Sequence, residues 1–544
     1  MSRPTPPLLA LTAALISLPL TGKAGEVESS GPVFIGSIGE LRQRVLEYNW
    51  TIQGKIMEYE IRRRTEEAAK GAFDPLLLAE YHYEDTARPN TVEQRRSLSG
   101  VPFLAEQNHK WSSSLETLTP LGGKLSLTAS VSEFQNNLQR ITNGGFGATG
   151  RKETVTFIGV NFRQPLLKDG GRKTATAAIR VAACESEQAW QEFRRQLMVS
   201  VSSAELAYWN VYGAARQTDY MQDSVKVAQS MVTDASAKAG AGKGAPVEVA
   251  TAQAGVEERS ARLTVARQRV VEAKATLAGF CGAALTDGFD VTTTAPPPPN
   301  KVTPDVQAGL ANAMTANPDY LGKVAEKDAE AIRAAYMKNQ KLPQLDFTAS
   351  YGLNGLGTDL SRSWDDVQQR DFDAWGLGFE FKMPLGSREA KNRYAAALAR
   401  HKRAEDSVTD VKQQLSNAVD TAVEKVISTR SALGSYYRAV ALNQQVLNSR
   451  LVDLKEGKSD IRRVLEADDD LNQAKINAVS GLIQHRQAML EYELATGQTL
   501  ENRDISLSKE QVAERTRRMM QAKKISEKQY QDYLGAVRDV SEVK

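Results

Sequence analysis

The chain is poor in the residues that build metal sites and disulfides. Its 544 residues include only two cysteines, Cys184 and Cys281, and four histidines, His82, His109, His401 and His485. The histidines are scattered without metal-ligand spacing. The cysteines fall on opposite arms of a helical hairpin, about 59 and 38 residues from its tip, which at ~1.5 Å per residue separates them by ~30 Å along the axis. That is too far for a disulfide, so buried, unpaired thiols are expected. A charge excess is missing as well: the net charge is +3, which excludes an electrostatic nucleic-acid footprint. No stretch reaches the ~20 continuous apolar residues of a membrane helix. Leu8–Leu20 is short and broken by Pro19. Arg3 precedes it and Gly22-Lys23-Ala24 follows, the layout of a signal peptide over residues 1–24, with no nearby cysteine for a lipid anchor. An exported chain of this kind is expected to be soluble or to cross a membrane as β-strands.

Catalytic motifs are also lacking. Gly240-Ala241-Gly242-Lys243-Gly244 has the look of a phosphate loop. However, Ala237 replaces its first glycine and Gly244 its hydroxyl residue. Asp468, Asp469 and Asp470 lack the glycine and spaced ligands of a calcium loop. Neither catalysis nor a cofactor or metal is expected from this sequence.

What the chain does have is a duplicated plan. Gly242-Lys243 and Gly457-Lys458 are 215 residues apart, and at the same offset Val249 matches Val464 and Ala252 matches Ala467. Before each glycine–lysine pair lies a very long amphipathic segment, and after it a shorter one. From Arg172 to about Lys238 there is no proline, which predicts ~67 helical residues and about 100 Å of helix. Pro246 suits the first turn of a return helix to about Phe280. The second hairpin is Arg388–Glu456, with Leu433, Val440, Leu447 and Leu454 at heptad spacing, returning over about Ile461–Ala495.

Ahead of each hairpin the period changes to two. Ile38–Lys70 is helical, and Gly71–Pro75 ends it. Leu77, Ala79, Tyr81 and Tyr83 then alternate with Leu78, Glu80, His82 and Glu84, as in a half-polar strand. Asp85–Asn108 reads as a polar loop. Trp111–Thr119 and Lys124–Phe134 flank a Pro-Leu-Gly-Gly turn and form a hairpin. Thr156–Phe162 is the next strand. In the second half Asn317 and Pro343 repeat Asn49 and Pro75 at an offset of 268, and the strands Leu345–Tyr351 and Trp375–Met383 follow. The expected units are 25–291, a proline-rich linker 292–302, 303–498 and a charged, peripheral tail 499–544. Four strands, or six if the Trp111–Phe134 hairpin joins them, are too few to close a barrel. Open edges are not tolerated in lipid, so other chains must complete it.

This order resembles the TolC-like outer-membrane efflux protein family. The residues that carry the likeness are Gly71–Pro75, Phe162–Leu166, Phe381–Leu385, Ala207-Tyr208-Trp209 and the twin tips, and it covers about 36–498. The resemblance implies a mainly α fold with a β-barrel portion: a homotrimer sharing an outer-membrane β-barrel, continued into the periplasm by an α-helical barrel. It further implies an exit duct for tripartite efflux or type I secretion, partnered by a periplasmic adaptor and an inner-membrane pump. By position, Glu466 matches an acidic site at the periplasmic entrance, whereas Arg463 occupies the second such position. Asp468, Asp469 and Asp470 are candidates for a ring further in, and Arg462 or Arg463 for neutralising it. Glu466, Asp469 and Asp470 share one helix face. The bland alternative is a solvated face with local ion pairs. Gly242, Lys243, Val249, Gly457, Lys458 and Leu465 are candidate adaptor contacts, and Val464 is read as interhelix core. The rival from another class is a non-conducting periplasmic coiled-coil scaffold, which has no reason to place Trp375, Leu377, Phe379 and Phe381 on one outward face.

Overall fold

In a computed structural model, the chain is described over residues 33–98, 100–137, 152–241, 245–294 and 304–522. The expected signal peptide, most of the proline-rich linker and the end of the tail lie outside these residues. Each half begins with a pair of helices: α1 (Ile38–Tyr48) and α2 (Trp50–Lys70), then α7 (Val306–Ala316) and α8 (Pro318–Asn339). The first pair was expected as one helix. Asn49 breaks it, with extended backbone (φ −71°, ψ 116°) and a side chain that accepts the amides of Thr51 and Ile52. Asn317 does the same for Asp319 and Tyr320. Capping satisfies amides that have no intrahelical partner, so the asparagine starts a new helix rather than continuing the old one. Each asparagine also donates to the end of a return helix, Asn49 to the Phe280 carbonyl and Asn317 to that of Ala495, both at 3.1 Å.

The strands follow. β2 (Leu76–Pro89), β3 (Phe103–Leu118), β4 (Lys124–Asn136), β5 (Glu153–Pro165), β7 (Gln344–Gly357) and β8 (Asp373–Lys382) form one sheet in that order. Every neighbouring pair is antiparallel. The Trp111–Phe134 hairpin, left open by the sequence, is β3–β4 within this sheet. The region 85–108 corrects the expected loop. β2 runs on to Pro89, a short helix α3 (Val92–Ser97) caps it, and β3 starts at Phe103. Its polar residues pair across strands, as in Arg88–Glu106 at 2.7 Å. A strand needs cross-strand partners more than it needs apolar side chains. Between β7 and β8, α9 (Leu360–Gln369) folds back onto β7 and β5. Its buried Ser363 hydroxyl donates to Thr156 Oγ1 at 2.7 Å.

Strand alternation gives the sheet two unlike faces. One row of paired residues, Leu77–Leu115–Leu127–Val160–Tyr351–Trp375, crosses all six strands and is apolar throughout. The next row on the opposite face, Glu116–Ser126–Asn161–Ser350–Gly376, is polar or small from β3 to β8, with Leu76 at its β2 end. The apolar face is the more exposed, with Trp375 at 72% and Phe379 at 70%.

After a turn of helix, α4 (Arg172–Ala175), the first hairpin pairs α5 (Ala177–Gly240, 64 residues) with α6 (Pro246–Phe280). The second pairs α10 (Arg388–Lys455, 68 residues) with α11 (Ile461–Thr496). Each long helix outruns its return helix, so its upper part needs a further partner. α2 and α8 cover α5, and α8 also covers α10. The main core lies where α1, α2, α5 and the end of α6 meet, around Leu41, Ile52, Phe193, Leu197, Tyr208 and Leu277. Tyr208, from the Ala-Tyr-Trp motif, accepts the Thr294 amide at 3.0 Å and so holds the chain entering the linker. A two-residue parallel pair, β1 (Phe34–Ile35) with β6 (Asp290–Val291), closes this region. The tail is more tightly docked than expected. Arg503 forms ion pairs with Glu205 and Glu493 at 2.7 and 2.5 Å, and Val512 of α12 (Lys509–Ala522) is buried. Cys184 is partly buried and Cys281 fully buried, and neither is in a disulfide. Burial pushes the Cys281 thiol up to about 11.

Candidate functional site

The second tip is built by backbone chemistry. Gly457 takes φ +76°, a conformation in which a side chain is strained. Its amide donates to the Leu454 carbonyl at 3.2 Å, and that of Lys458 to the Asp453 carbonyl at 2.8 Å. These two bonds close α10 as a Schellman motif. Asp460 then opens α11 by accepting the Arg463 amide at 2.8 Å. Lys458 is exposed and paired with Glu456. Gly242 and Lys243 lie outside the described residues.

Behind the tips the two hairpins share one core. Ala228, Met231 and Ala235 of α5 and Ala252 of α6 meet Leu454, Ile461, Val464, Leu465 and Leu471, with Val249 packed against them. Val464 is fully buried and Leu465 is 7% exposed. Gly255 allows this approach, since a Cβ there would come within 2.9 Å of Leu465 Cδ1. Leu465, named from the sequence as an adaptor contact, therefore spends its apolar surface inside the protomer, and Val249 is half-buried against the same cluster.

The acidic run divides in the same way. Glu466 and Asp470 are exposed, Asp469 is intermediate and Asp468 is buried. Asp468 is thus corrected out of the accessible face, because α11 turns it toward α5 and α6. There its carboxylate accepts from the Ser224 hydroxyl and lies 3.5 Å from Arg259 Nε. Arg259, whose side chain is 3% exposed, also reaches Asp469 at 2.9 Å and donates to the Leu465 carbonyl at 2.8 Å. Arg262 reaches Asp469 at 3.3 Å. Burial raises the Asp469 carboxyl above its ordinary range, against the pull of Arg259 and Arg262. Arg462 pairs with Glu466 at 3.0 Å, and Arg463 approaches Asp460 at 3.9 Å. Asp470 makes no ion pair with any described residue. Of the four acids, Asp470 alone presents an uncompensated charge.

Arg259, Arg262 and Ser224 were missed in the sequence, although one signal was present. The buried positions of α6 include Ala252, Gly255, Arg259, Leu263 and Ala266, so Arg259 occupies the apolar stripe itself. A charge on that stripe needs a buried counter-charge, and the acidic run of α11 supplies it. Among the described residues there is no cluster of metal ligands, and no helix is long and apolar enough to cross a membrane.

The sheet faces and the paired hairpins can be set beside known proteins. Solved structures with a similar fold include VceC from Vibrio cholerae (15% identity, TM-score 0.59, covering 85% of this chain and 96% of that one). The outer membrane channel CmeC of Campylobacter jejuni is also similar (11%, TM-score 0.60, 87% and 90%). So is the open-state MtrE outer membrane channel of Neisseria gonorrhoeae (14%, TM-score 0.59, 86% and 91%). In sequence, the chain is 24% identical over 375 residues to the outer membrane efflux protein BepC of Brucella suis biovar 1 (strain 1330), which spans 66% of this chain and 75% of that one. The sequence model of the Outer membrane efflux protein family matches residues 121–283 and 311–498, one segment in each repeat. The chain therefore belongs to the outer membrane efflux protein family, with its long helical hairpins and β-barrel portion.

Proposed function

We propose that the protein is the outer-membrane exit duct of a tripartite efflux or type I secretion system. In this reading it is a homotrimer whose sheet joins two neighbours in the outer membrane and whose hairpins extend into the periplasm. A periplasmic adaptor and an inner-membrane pump deliver the substrate. The observation that carries the reading is the two-faced sheet set on hairpins whose long helices have 64 and 68 residues. A surface that exposes Trp375, Leu377 and Phe379 belongs in lipid, and helices of ~100 Å reach far from it. A periplasmic scaffold gives that surface no role.

The exposed end of α11 forms the periplasmic entrance in this proposal. Arg462, Arg463, Glu466, Asp469 and Asp470 face it. With Glu466 and Asp469 already paired to arginines, Asp470 supplies the ring charge. The tip residues Gly242, Lys243, Gly457 and Lys458 lie where the adaptor docks.

Recording from the purified trimer in a planar lipid bilayer tests both parts. Discrete, uniform steps are expected, with cation preference reduced by Asp470→Asn more than by Glu466→Gln. Folded, oligomeric protein that gives no steps, even after the second tip is loosened, would remove the duct. Unchanged selectivity after Glu466, Asp469 and Asp470 are all replaced would remove the ring and leave the duct.

A further inference from the structure

We propose that the β3–β4 hairpin is part of the barrel wall, so that three protomers close an eighteen-stranded barrel with an exit broad enough for bulky hydrophilic cargo. This deepens the exit-duct reading and rests on its trimer.

The internal repeat shows what the hairpin adds. Gly71–Pro75 precedes β2 as Pro343 precedes β7, and Phe162–Leu166 closes β5 as Phe381–Leu385 closes β8. In the second half, β7 passes to β8 through residues 358–372. In the first, β3 and β4 stand between the two corresponding strands. The second-half plan alone gives two strands per repeat and twelve per trimer.

Two observations place the hairpin within the wall, and the strand parity allows it. First, β3 is paired to β2 and β4, and β4 to β3 and β5, nearly along their lengths. The open edges of the sheet are the outer sides of β2 and β8. Second, the hairpin continues both faces of the sheet. Leu115 and Leu127 lie in the apolar row that runs from Leu77 to Trp375, and they are 44% and 46% exposed. Behind them Ser112, Ser114 and Ser130 continue the polar face. A hairpin resting on the barrel would not keep this register of apolar and polar faces. The strand parity is right as well. Six antiparallel strands make β2 and β8 run in opposite directions. The β8 edge of one protomer therefore meets the β2 edge of the next in antiparallel fashion, and three such joins leave no open edge in the lipid. An even strand number is also the rule for bacterial barrels.

The consequence is width. With strands about 4.8 Å apart and tilted about 40°, eighteen give a backbone diameter of about 36 Å, against about 24 Å for twelve. On β3 and β4 that face is mostly small, with Ser112, Ser114, Ser126, Thr128 and Ser130 beside Glu116, so the added width is not refilled by side chains and size selection rests with the helical end of the duct.

Imaging the trimer in lipid nanodiscs by electron cryomicroscopy tests the wall directly. Eighteen strands at the level of the bilayer are expected. Twelve, with β3–β4 lying outside, would overturn the proposal. A variant lacking residues 90–151 joins β2 to β5 and leaves four strands per protomer. Its outer mouth should exclude polyethylene glycols that enter the intact barrel, and the barrel's cross-section should fall about two-fold. An unchanged exclusion limit would count against the hairpin. If the variant does not assemble, the strand count of the intact trimer decides. A conducting twelve-stranded trimer sinks this proposal and spares the exit duct. An eighteen-stranded trimer that never conducts supports the wall and removes the duct.

Discussion

The two long helices have nearly the same length and very different surroundings. α5 buries Phe193, Leu197, Tyr208 and Trp209 within its own protomer and leaves none of its large apolar residues exposed. α10 buries the seam of Leu433, Leu447 and Leu454 but exposes Ile427, Tyr437, Leu442 and Val446, with Leu442 at 62%. α5 is the spine of one protomer, whereas α10 carries large apolar residues that no described residue of its own chain covers. In the proposed trimer those residues meet the next subunit, so one helix holds the fold and the other the assembly.

Charging this open surface should break the contrast most completely. Leu442→Glu with Val446→Glu is expected to abolish the trimer while leaving the helix content of the protomer intact, as read by native mass spectrometry and circular dichroism. Phe193→Ala should do the reverse, destabilising the protomer by about 3–5 kcal/mol in denaturant titrations. If both variants dissociate without unfolding, the division between the helices is wrong.

The next largest effect concerns the bond between the hairpins. Arg259→Ala strands the buried Asp468 carboxylate, which costs about 3–5 kcal/mol in the usual case. The apolar pair Arg259→Met with Asp468→Leu should recover most of that loss. If it recovers none, the ion pair is not what makes the single variant unstable.

A smaller effect sharpens the comparison of the repeats. Asn49→Ala and Asn317→Ala each remove a helix cap, worth about 1 kcal/mol, together with the bond to a return-helix carbonyl. Losses of similar size are expected in thermal melts, and a large difference would show that the two helix-pair junctions are not equivalent.

The smallest effect separates the hairpins by pH. His485 of α11 is buried and bonded to Thr429 of α10 at 3.1 Å, whereas α5 and α6 contain no histidine. Burial, assisted by Arg486 and Arg430, depresses its pKa below the ordinary 6.5. The unfolded chain then binds the extra proton first as pH falls. Stability contributed by neutral His485 is complete above about 6.5 and is lost as pH falls toward the depressed folded value. His485→Gln should flatten that slope in melts from pH 7 to 5, and an unchanged slope would assign it elsewhere.

Much of this architecture was legible because helices without proline and strands with period two leave long, repeated signals. Pro246 and Gly457 marked the tips, and the alternation around Tyr81 and Phe379 marked the sheet. Three features were less clear. The break at Asn49 depends on one side chain turning back to its own backbone. The polar extension of β2 is held by partners such as Glu106 that are distant along the chain. The rotation of α11, which hides Asp468 and exposes Asp470, is set by Arg259 on another helix. Each of these depends on a contact between elements, which periodicity along one element does not encode.

The length of α10 also has a mechanical meaning. At ~1.5 Å per residue its 68 residues make an arm of about 100 Å. A tilt of about 5° where α10 leaves β8 moves the far end of such an arm by about 9 Å. Displacement at the tip therefore needs no hinge within the helix, and the strands at the other end stay almost still. The arm multiplies small angles, and the bonds of Arg259 sit near its moving end, where a holding force has the most leverage.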